Sequence, residues 1–211
     1  GGIPADFESD YSNAGDWTQV NPATHDVNVN DTVANHVAMD SANANTNYEV
    51  YQDMGLTLDN ANWNADFQWT LTYWGTANAS TFPFIFANET GSIRGAPTPS
   101  IYSLGVMTQS KQLKIYYNTI PNAPVESTAI TITENTLYYL RLERTSTTSA
   151  KLSVSESEAG GSDIAGSPVT FTIPSEVQDL DILHHGVCGN VASDASSWNG
   201  TNIKVYDGVN P

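Results

Sequence analysis

Residues 133–156 read TENTLYYLRLERTSTTSAKLSVSE, and this stretch decides the fold class. Apolar and polar side chains alternate on both sides of a Thr/Ser turn, which is typical of a half-buried antiparallel hairpin. The alternation predicts a core face formed by Tyr138, Leu140, Leu142, Leu152 and Val154. A slip of one residue would expose these side chains, so the apolar pattern fixes the register.

The opposite face of the same hairpin is predicted to carry Tyr139, Arg141 and Glu143. Arg141 and Arg144 are two of only seven basic residues in the chain. A charged side chain on an exposed strand aids solubility and discourages edge pairing, and Glu143 or a neighbouring carboxylate is expected to pair with one arginine. A ligand-facing Arg141 is the alternative interpretation.

The rest of the chain repeats this alternation in short segments bounded by turn formers. These segments are DFQWTLTYW (66–74), TFPFIFAN (81–88), IYSLGVMT (101–108), QLKIYYN (112–118), STAITITE (127–134), VTFTIP (169–174), LDILHHGVCG (180–189) and NIKVYDG (202–208). About a dozen such strands predict an all-β sandwich or barrel. We expect Phe67, Trp69, Leu71 and Tyr73 to share one face, Phe82, Phe84 and Phe86 to share another, and short helical turns near 28–33 and 174–178.

The amino-acid composition makes some classes of binding partner unfavourable. The 211 residues include 23 acidic and 7 basic ones, a formal charge of -16. Such a surface repels phosphate backbones and anionic headgroups, so nucleic acid is an unfavourable partner.

No apolar run is long enough to predict insertion into a membrane. Length is consistent with one domain over residues 1–211, with 1–5 as an extended N-terminal segment.

Three segments carry a resemblance to a known family. The hairpin LYYLRLERTSTTSAKLSVSE (137–156) resembles the penultimate hairpin of concanavalin A-like, laminin G-like jelly rolls. NIKVYDG (202–208) resembles their closing strand, and DFESDYSNAGDWTQV (6–20) their first strand. The resemblance implies an antiparallel two-sheet jelly roll with a concave face. The family includes lectins, carbohydrate-binding modules, glucanases and alginate lyases, so the fold alone does not determine the function.

The sequence lacks the catalytic patterns of these relatives. Glucanases of this fold place carboxylates on one strand as Glu-hydrophobic-Asp-X-X-Glu, because retaining hydrolysis needs two carboxyl groups about 5 Å apart. Glu156 and Glu158 run into a Gly-Gly turn, and Asp179 and Asp181 lack the third carboxylate. The RLER segment (141–144) departs from the Arg-X-Glu-Leu pattern of the lyases. We therefore expect that the protein is not an enzyme.

Sugar-binding proteins stack exposed aromatic rings on sugar C–H faces and bond the hydroxyls with polar side chains. The candidate carbohydrate-binding residues are Trp63, Gln68, Trp74, Tyr116, Tyr139 and Arg141. Trp63 is expected to lie in the polar loop DNANWNAD (59–66). Each ring has the alternative interpretation of packing against a loop or the second sheet. A composite site of Gln68, Thr70, Thr72, Lys114, Tyr116, Arg141 and Glu143 requires that their strands share one sheet.

Two further kinds of site are expected. The resemblance implies a structural Ca²⁺, which prefers six to eight oxygen ligands, and Asp6, Glu8 and Asp207 are its candidate ligands because first and last strands neighbour each other in the family. Solvated carboxylates are the alternative. Asn-X-Ser/Thr triplets at Asn30, Asn78, Asn88 and Asn199 are candidate glycosylation sites.

The function expected from these observations is that of a secreted, non-catalytic domain that binds carbohydrate or recognises cell surfaces through extracellular glycans. The sequons, the low lysine content and a start at GGIP without a secretory segment favour an exported, processed protein. A single Cys188 excludes an intrachain disulfide and is expected to be buried. The alternative is a glycosylated subunit of an extracellular filament, surface layer or adhesin, in which copies bind each other through Ile3 and Phe7.

Overall fold

The computed structural model describes residues 3–20, 27–31, 33–39, 47–75, 80–91, 101–119, 124–188 and 196–208, apart from the side chains of Asn47 and Cys188. This part of the chain forms two antiparallel sheets of eight strands each and one 3-10 turn, Ala14–Asp16. The predicted all-β jelly-roll sandwich with very little helix is confirmed. In the described ranges no helix is long and apolar enough to cross a membrane. The expected burial of Cys188 lies outside these residues.

The strands follow one another along the chain as β1 (Phe7–Ser9), β2 (Thr18–Val20), β3 (Val27–Val29), β4 (Val37–Met39), β5 (Asn47–Asp53), β6 (Trp63–Trp74), β7 (Ser80–Ala87), β8 (Ser103–Gln109), β9 (Gln112–Asn118), β10 (Val125–Glu126), β11 (Ile130–Thr131), β12 (Leu137–Ser146), β13 (Ser149–Ser155), β14 (Val169–Thr172), β15 (Ile182–Cys188) and β16 (Ser196–Asp207). The first sheet has the order β14-β13-β12-β6-β16-β4-β3, with β1 also paired to β16. The second sheet has the order β10-β9-β8-β7-β15-β5-β2, with β11 paired to β9.

One main core lies between the two sheets. Trp63, Phe67 and Trp69 of β6 enter it from the first sheet, and Phe84 and Phe86 of β7 from the second. Each of these side chains is almost fully buried. Burying a large apolar side chain stabilises the folded state by about 1.5–3 kcal/mol, so the alternating apolar residues of the long strands supply most of the driving force.

The hairpin that decides the fold class forms in the predicted register. Leu140 lies opposite Val154 and Leu142 opposite Leu152 across β12 and β13. Arg144 differs from the expectation of an exposed charge, because it continues the core-facing set and is only 2% exposed. Its Nε donates to the carbonyl oxygen of Ser146 at 2.9 Å, and its Nη2 to that of Thr147 at 2.5 Å. This arginine therefore holds the Thr/Ser turn.

Two predictions about faces and turns are wrong. Phe82 does not share a face with Phe84 and Phe86, because the register of β7 against β8 shifts between Thr81 and Phe84. Phe82 instead packs in a second buried cluster on the other face of the second sheet. The helical turn expected near 28–33 is replaced by β3 and a bend, and 174–178 forms a single hydrogen-bonded turn.

Candidate functional site

A groove of about 380 Å³ opens on the outer face of the first sheet. Three neighbouring strands, β12, β6 and β16, form its floor, and the loop after β13 contributes Ala159 to its wall. Its side-chain lining includes Asp66, Gln68, Tyr139, Lys204 and Tyr206. The groove therefore combines aromatic rings with polar and charged groups.

The strand register explains why these side chains meet. Tyr139 lies directly opposite Gln68, and Arg141 directly opposite Asp66, across β12 and β6. Lys204 of β16 lies opposite Asp66 on its other side. Because alternate residues of a strand point to the same face, these residues share the solvent-facing side of the sheet.

Arg141 and Asp66 form a bidentate ion pair at the edge of the groove. Arg141 Nε donates to Asp66 Oδ1 and Nη2 donates to Oδ2, each at 2.7 Å. This pairing raises the pKa of Arg141, against the opposing effect of its burial. The loop lies against the guanidinium, since a Cβ added to Gly160 would lie 3.0 Å from Arg141 Nη1. Arg141 therefore pairs with a carboxylate of the floor and lies against the loop above it.

Three of the six predicted carbohydrate-binding residues, Gln68, Tyr139 and Arg141, are brought together at this groove. Trp63 and Tyr116 are not available for stacking on a sugar, because they are 1% and 0% exposed. Trp63 begins β6 and packs in the main core, not in a polar loop. Tyr116 belongs to the second buried cluster.

The predicted composite site is also divided between the sheets. Gln68, with Thr70 and Thr72, lies on β6 of the first sheet, whereas Lys114 and Tyr116 lie on β9 of the second. Lys114 there pairs with Glu126 at 2.8 Å. The assumption that all these strands share one sheet was wrong.

Trp74 lies at the end of β6, outside the groove lining. Its ring is half-buried against the main core, and its backbone N–H donates to Glu134 Oε1 at 2.7 Å. Tyr73 was predicted to share the face of Phe67, Trp69 and Leu71, which are buried, but it is 49% exposed. The side chains at this end of β6 change faces because the pairing of β6 with β16 shifts between Ser197 and Trp198.

The candidate calcium ligands are only partly brought together. Asp6 and Asp207 are in contact, because the backbone N–H of Asp207 donates to Asp6 Oδ2 at 2.8 Å. Burial raises the pKa of Asp207, and the carboxylates of Asp59 and Asp6 add to this effect. Glu8 lies further along β1, opposite Lys204. No group of three metal-ligating side chains is found in the described ranges, and calcium binding stays a prediction.

The asparagines of three of the four sequons lie in the described part of the chain, and Asn78 lies outside it. Asn30 Nδ2 donates to the carbonyl oxygen of Ser12 at 2.8 Å. Asn88 accepts a hydrogen bond from the backbone N–H of Tyr102 at 2.8 Å. Asn199 lies within β16, beside Thr70 of β6. A glycan on Asn199 would project from the same face of the first sheet that carries the groove, and glycosylation stays a prediction.

The residues expected to bind other copies of the chain differ in exposure. Ile3 is 47% exposed, whereas Phe7 packs against the main core from β1. Phe7 is therefore occupied within its own chain, and docking between copies through Ile3 stays a prediction.

Sequence reasoning missed Asp66, Lys204 and Tyr206 as groove residues. The alternation of DFQWTLTYW already places Asp66 on the face of Gln68, and NIKVYDG places Lys204 and Tyr206 on one face. What the sequence did not supply was the strand order. Only the pairing of β6 with both β12 and β16 joins the two faces into one surface.

Comparison with known proteins supports the fold. No protein-family model and no curated protein sequence matches the chain. The CBM2 module of the evolved Dit of Lactobacillus casei BL23 phage J-1 has a TM-score of 0.59 at 12% identity, over 99% of this chain and 97% of that one. The metal-free exoplasmic/lumenal domain of VIP36 has a TM-score of 0.58 at 8% identity, over 98% and 93%. A family 7 alginate lyase, A1-II', has a TM-score of 0.54 at 10% identity, over 88% and 84%.

These likenesses show the fold. The chain forms an antiparallel jelly-roll sandwich like that of these structures, which is the fold that the resemblance of its hairpin and terminal strands implied. At such low identity the likeness concerns the fold, and the function has to be argued from the groove.

Proposed function

We propose that the protein is a secreted, non-catalytic carbohydrate-binding domain whose groove on the first sheet binds extracellular glycans. The observation that carries this proposal is the juxtaposition of Tyr139 and Gln68 on neighbouring strands in an open groove. The partly buried ring of Tyr139 lines the groove and offers a surface for sugar C–H groups, and the amide of Gln68 beside it offers a donor and an acceptor for hydroxyls. The CBM2 module and the alginate lyase among the structural neighbours support this interpretation.

The non-catalytic part of the proposal is supported by the state of the carboxylates on this face. Both oxygens of Asp66 accept hydrogen bonds from Arg141. Glu143 is paired with Lys151 at 2.6 Å. Hydrolysis of a glycosidic bond needs one carboxyl group as a proton donor and another as a base or nucleophile, whereas both of these carboxylates are already engaged by basic side chains.

Secretion is the part of the proposal supported by the sequence: its sequons and its acidic surface suit an exported protein. Expression in a secreting, glycosylating host followed by mass spectrometry of the sequon peptides would test it. Glycans on the sequon asparagines would support the proposal. A chain that is secreted with every sequon unmodified would contradict the assignment of these sequons as glycosylation sites.

A glycan array with purified protein tests the binding function. We expect binding to at least one polysaccharide or oligosaccharide at millimolar concentration or below. Tyr139→Ala should weaken it about fivefold or more, because it removes the stacking ring. Tyr73→Ala is the matched control, since Tyr73 is an exposed tyrosine of the same sheet outside the groove lining. The proposal fails if no glycan binds, or if both variants lose binding equally.

A further inference from the structure

Lys204 differs from the other basic residues of the described chain. Lys111, Lys114, Lys151 and Arg141 each form an ion pair with a carboxylate. The buried Arg144 donates to backbone carbonyls. Within the described ranges, Lys204 alone among the basic side chains has neither an ion pair nor a hydrogen bond of its side chain, and it is exposed.

The ammonium group of Lys204 is placed where a ligand would meet it. Its side chain lines the groove and also a neighbouring cavity of about 460 Å³ that includes Glu8 and Asp10. Two acidic residues flank it across the strands, Asp66 on β6 and Glu8 on β1. Asp66 is already paired at both oxygens with Arg141, and Glu8 does not approach within ion-pair distance of Lys204.

The charge of this face differs from that of the whole chain. On the outer face of β1, β6, β12, β13 and β16, the basic residues Arg141, Lys151 and Lys204 balance the acidic Glu8, Asp66 and Glu143 at three each. The chain as a whole has 23 acidic and 7 basic residues. At about 0.15 M salt, charges more than about 8 Å apart are largely screened. The many carboxylates elsewhere on the chain therefore repel an anionic ligand only weakly at this balanced face, where Lys204 is the cation without an ion pair.

We propose that the groove selects oligosaccharides that carry carboxylates, that is, sugars containing uronic acid, and that Lys204 pairs with a sugar carboxylate while Tyr139 stacks on a ring. The inference rests on the proposed carbohydrate-binding function. The hydroxyl and ring oxygens of a neutral sugar accept hydrogen bonds from the ammonium group of Lys204 without neutralising its charge. A carboxylate accepts these hydrogen bonds with an opposite charge, which makes them stronger. The same groove therefore discriminates by charge.

Matched ligand pairs test this inference. Hexamers of galacturonate, mannuronate and guluronate would each be titrated calorimetrically at pH 7 and about 0.15 M salt, beside the fully methyl-esterified hexamer of the same backbone. We expect at least one acid to bind about tenfold more tightly than its ester, because only the acid gains a hydrogen bond between two charged groups. Esterification changes the charge and leaves the backbone intact, so shape alone does not explain such a difference.

Three variants distinguish the contribution of Lys204 to binding from that of other charged residues. Lys204→Gln should remove most of the preference for acid over ester and leave binding of the ester nearly unchanged. Glu8→Gln should strengthen binding of the acid roughly two- to fivefold, because it removes a nearby negative charge that repels the sugar carboxylate. Lys111→Gln, at an exposed lysine in the second sheet's β8–β9 turn, is the control and should change neither affinity. Far-ultraviolet circular dichroism would check that each variant is folded.

The outcomes distinguish this inference from the function on which it rests. If neutral hexasaccharides bind and no acidic one binds more tightly than its ester, the selectivity is refuted and carbohydrate binding stands. If Lys204→Gln weakens acid and ester equally, the proposed ion pair is refuted. If no oligosaccharide binds in the titrations or on the array, both proposals fail.

Discussion

His185 shows how one buried polar side chain is accommodated in the aromatic part of the core. Its Nδ1 lies 2.5 Å from the carbonyl oxygen of Pro83, and its Nε2 lies 2.9 Å from the hydroxyl of Tyr11. A carbonyl only accepts, so Nδ1 carries the proton and Nε2 accepts from Tyr11. Burial lowers the pKa of His185 to about 3, the charge of His184 adds to this effect, and the hydrogen bond to Pro83 opposes it.

This lowered pKa predicts a loss of stability in mild acid. In the unfolded chain the imidazole binds a proton below about pH 6.5, whereas in the folded chain it stays neutral down to about pH 3, so stability falls as the pH drops through this window. Between pH 7 and pH 5 we expect the free energy of unfolding to fall by about 2 kcal/mol more in the wild type than in His185→Gln. Urea unfolding at both pH values measures this difference. Equal losses in both proteins would contradict the assignment.

The Arg141–Asp66 pair gives a second prediction at the scale of single residues. The two side chains are 18% and 11% exposed, so removing one leaves the other charge largely desolvated. Arg141→Ala should lower the free energy of unfolding by about 2–4 kcal/mol. Lys111→Ala, which breaks the exposed pair with Glu134, should cost at most about 1 kcal/mol. Guanidinium unfolding of the three proteins measures both effects, and similar costs would show that the groove pair is not structural.

At the scale of strands, alternation predicted the hairpin and failed where strands are irregular. The pattern gave β12 and β13 their faces and register because no shift interrupts them between Tyr139 and Arg144. The face of Phe82 was wrong because β7 shifts its register at that point, and a single added residue reverses the facing of what precedes it. Polar flanks misled the assignment of Trp63, which the sequence placed in a loop although it starts a core strand.

Tyr116 was misjudged for a different reason. A sheet with one solvated face predicts that every second residue is exposed. The second sheet is buried on both faces around β7, β8 and β9, since Phe82, Met107 and Tyr116 form a cluster opposite the main core. Alternation alone does not distinguish an outward residue facing water from one covered by other parts of the chain.

The close pairing of β7 and β8 gives a prediction at this scale. A Cβ added to Gly105 of β8 would overlap the carbonyl oxygen of Phe84 and lie 2.5 Å from the Cα of Ile85. Backbone atoms in a paired strand have little freedom to move aside, so Gly105→Ala should lower the free energy of unfolding by about 1–3 kcal/mol. Gly15→Ala is the control, because its nearest neighbour is the Asn13 side chain at 3.3 Å. Thermal and urea unfolding would compare the two, and an equally small cost for both would refute the close approach.

At the scale of the whole molecule, the last described strand holds the first sheet together. β16 lies between β6 and β4 and also pairs with β1. Its Ile203 and Val205 are fully buried in the main core. The strand order that makes β16 central was not predictable from local pattern, since its neighbours come from distant parts of the chain.

Removing the last ten residues, 202–211, should therefore prevent folding. The deletion takes Ile203 and Val205 from the core and the pairing partner from β1. Removal of residues 1–5 is the control and should cost little, because Ile3 and Pro4 are exposed. Near-ultraviolet circular dichroism and the dispersion of amide proton signals would report packing in both truncated chains. A folded chain without residues 202–211 would overturn the central role of β16.

The antiparallel pairing of β1 with β16 has a mechanical consequence. Phe7 lies opposite Val205, so tension applied at the two ends of the chain would load the same end of this strand pair. The three residue pairs that join the two strands would then separate one after another instead of sharing the load in shear. If the protein were pulled by its two termini, β1 would consequently detach from β16 at low force. The edge of β16 would then be exposed at a force well below the force that unfolds the sandwich.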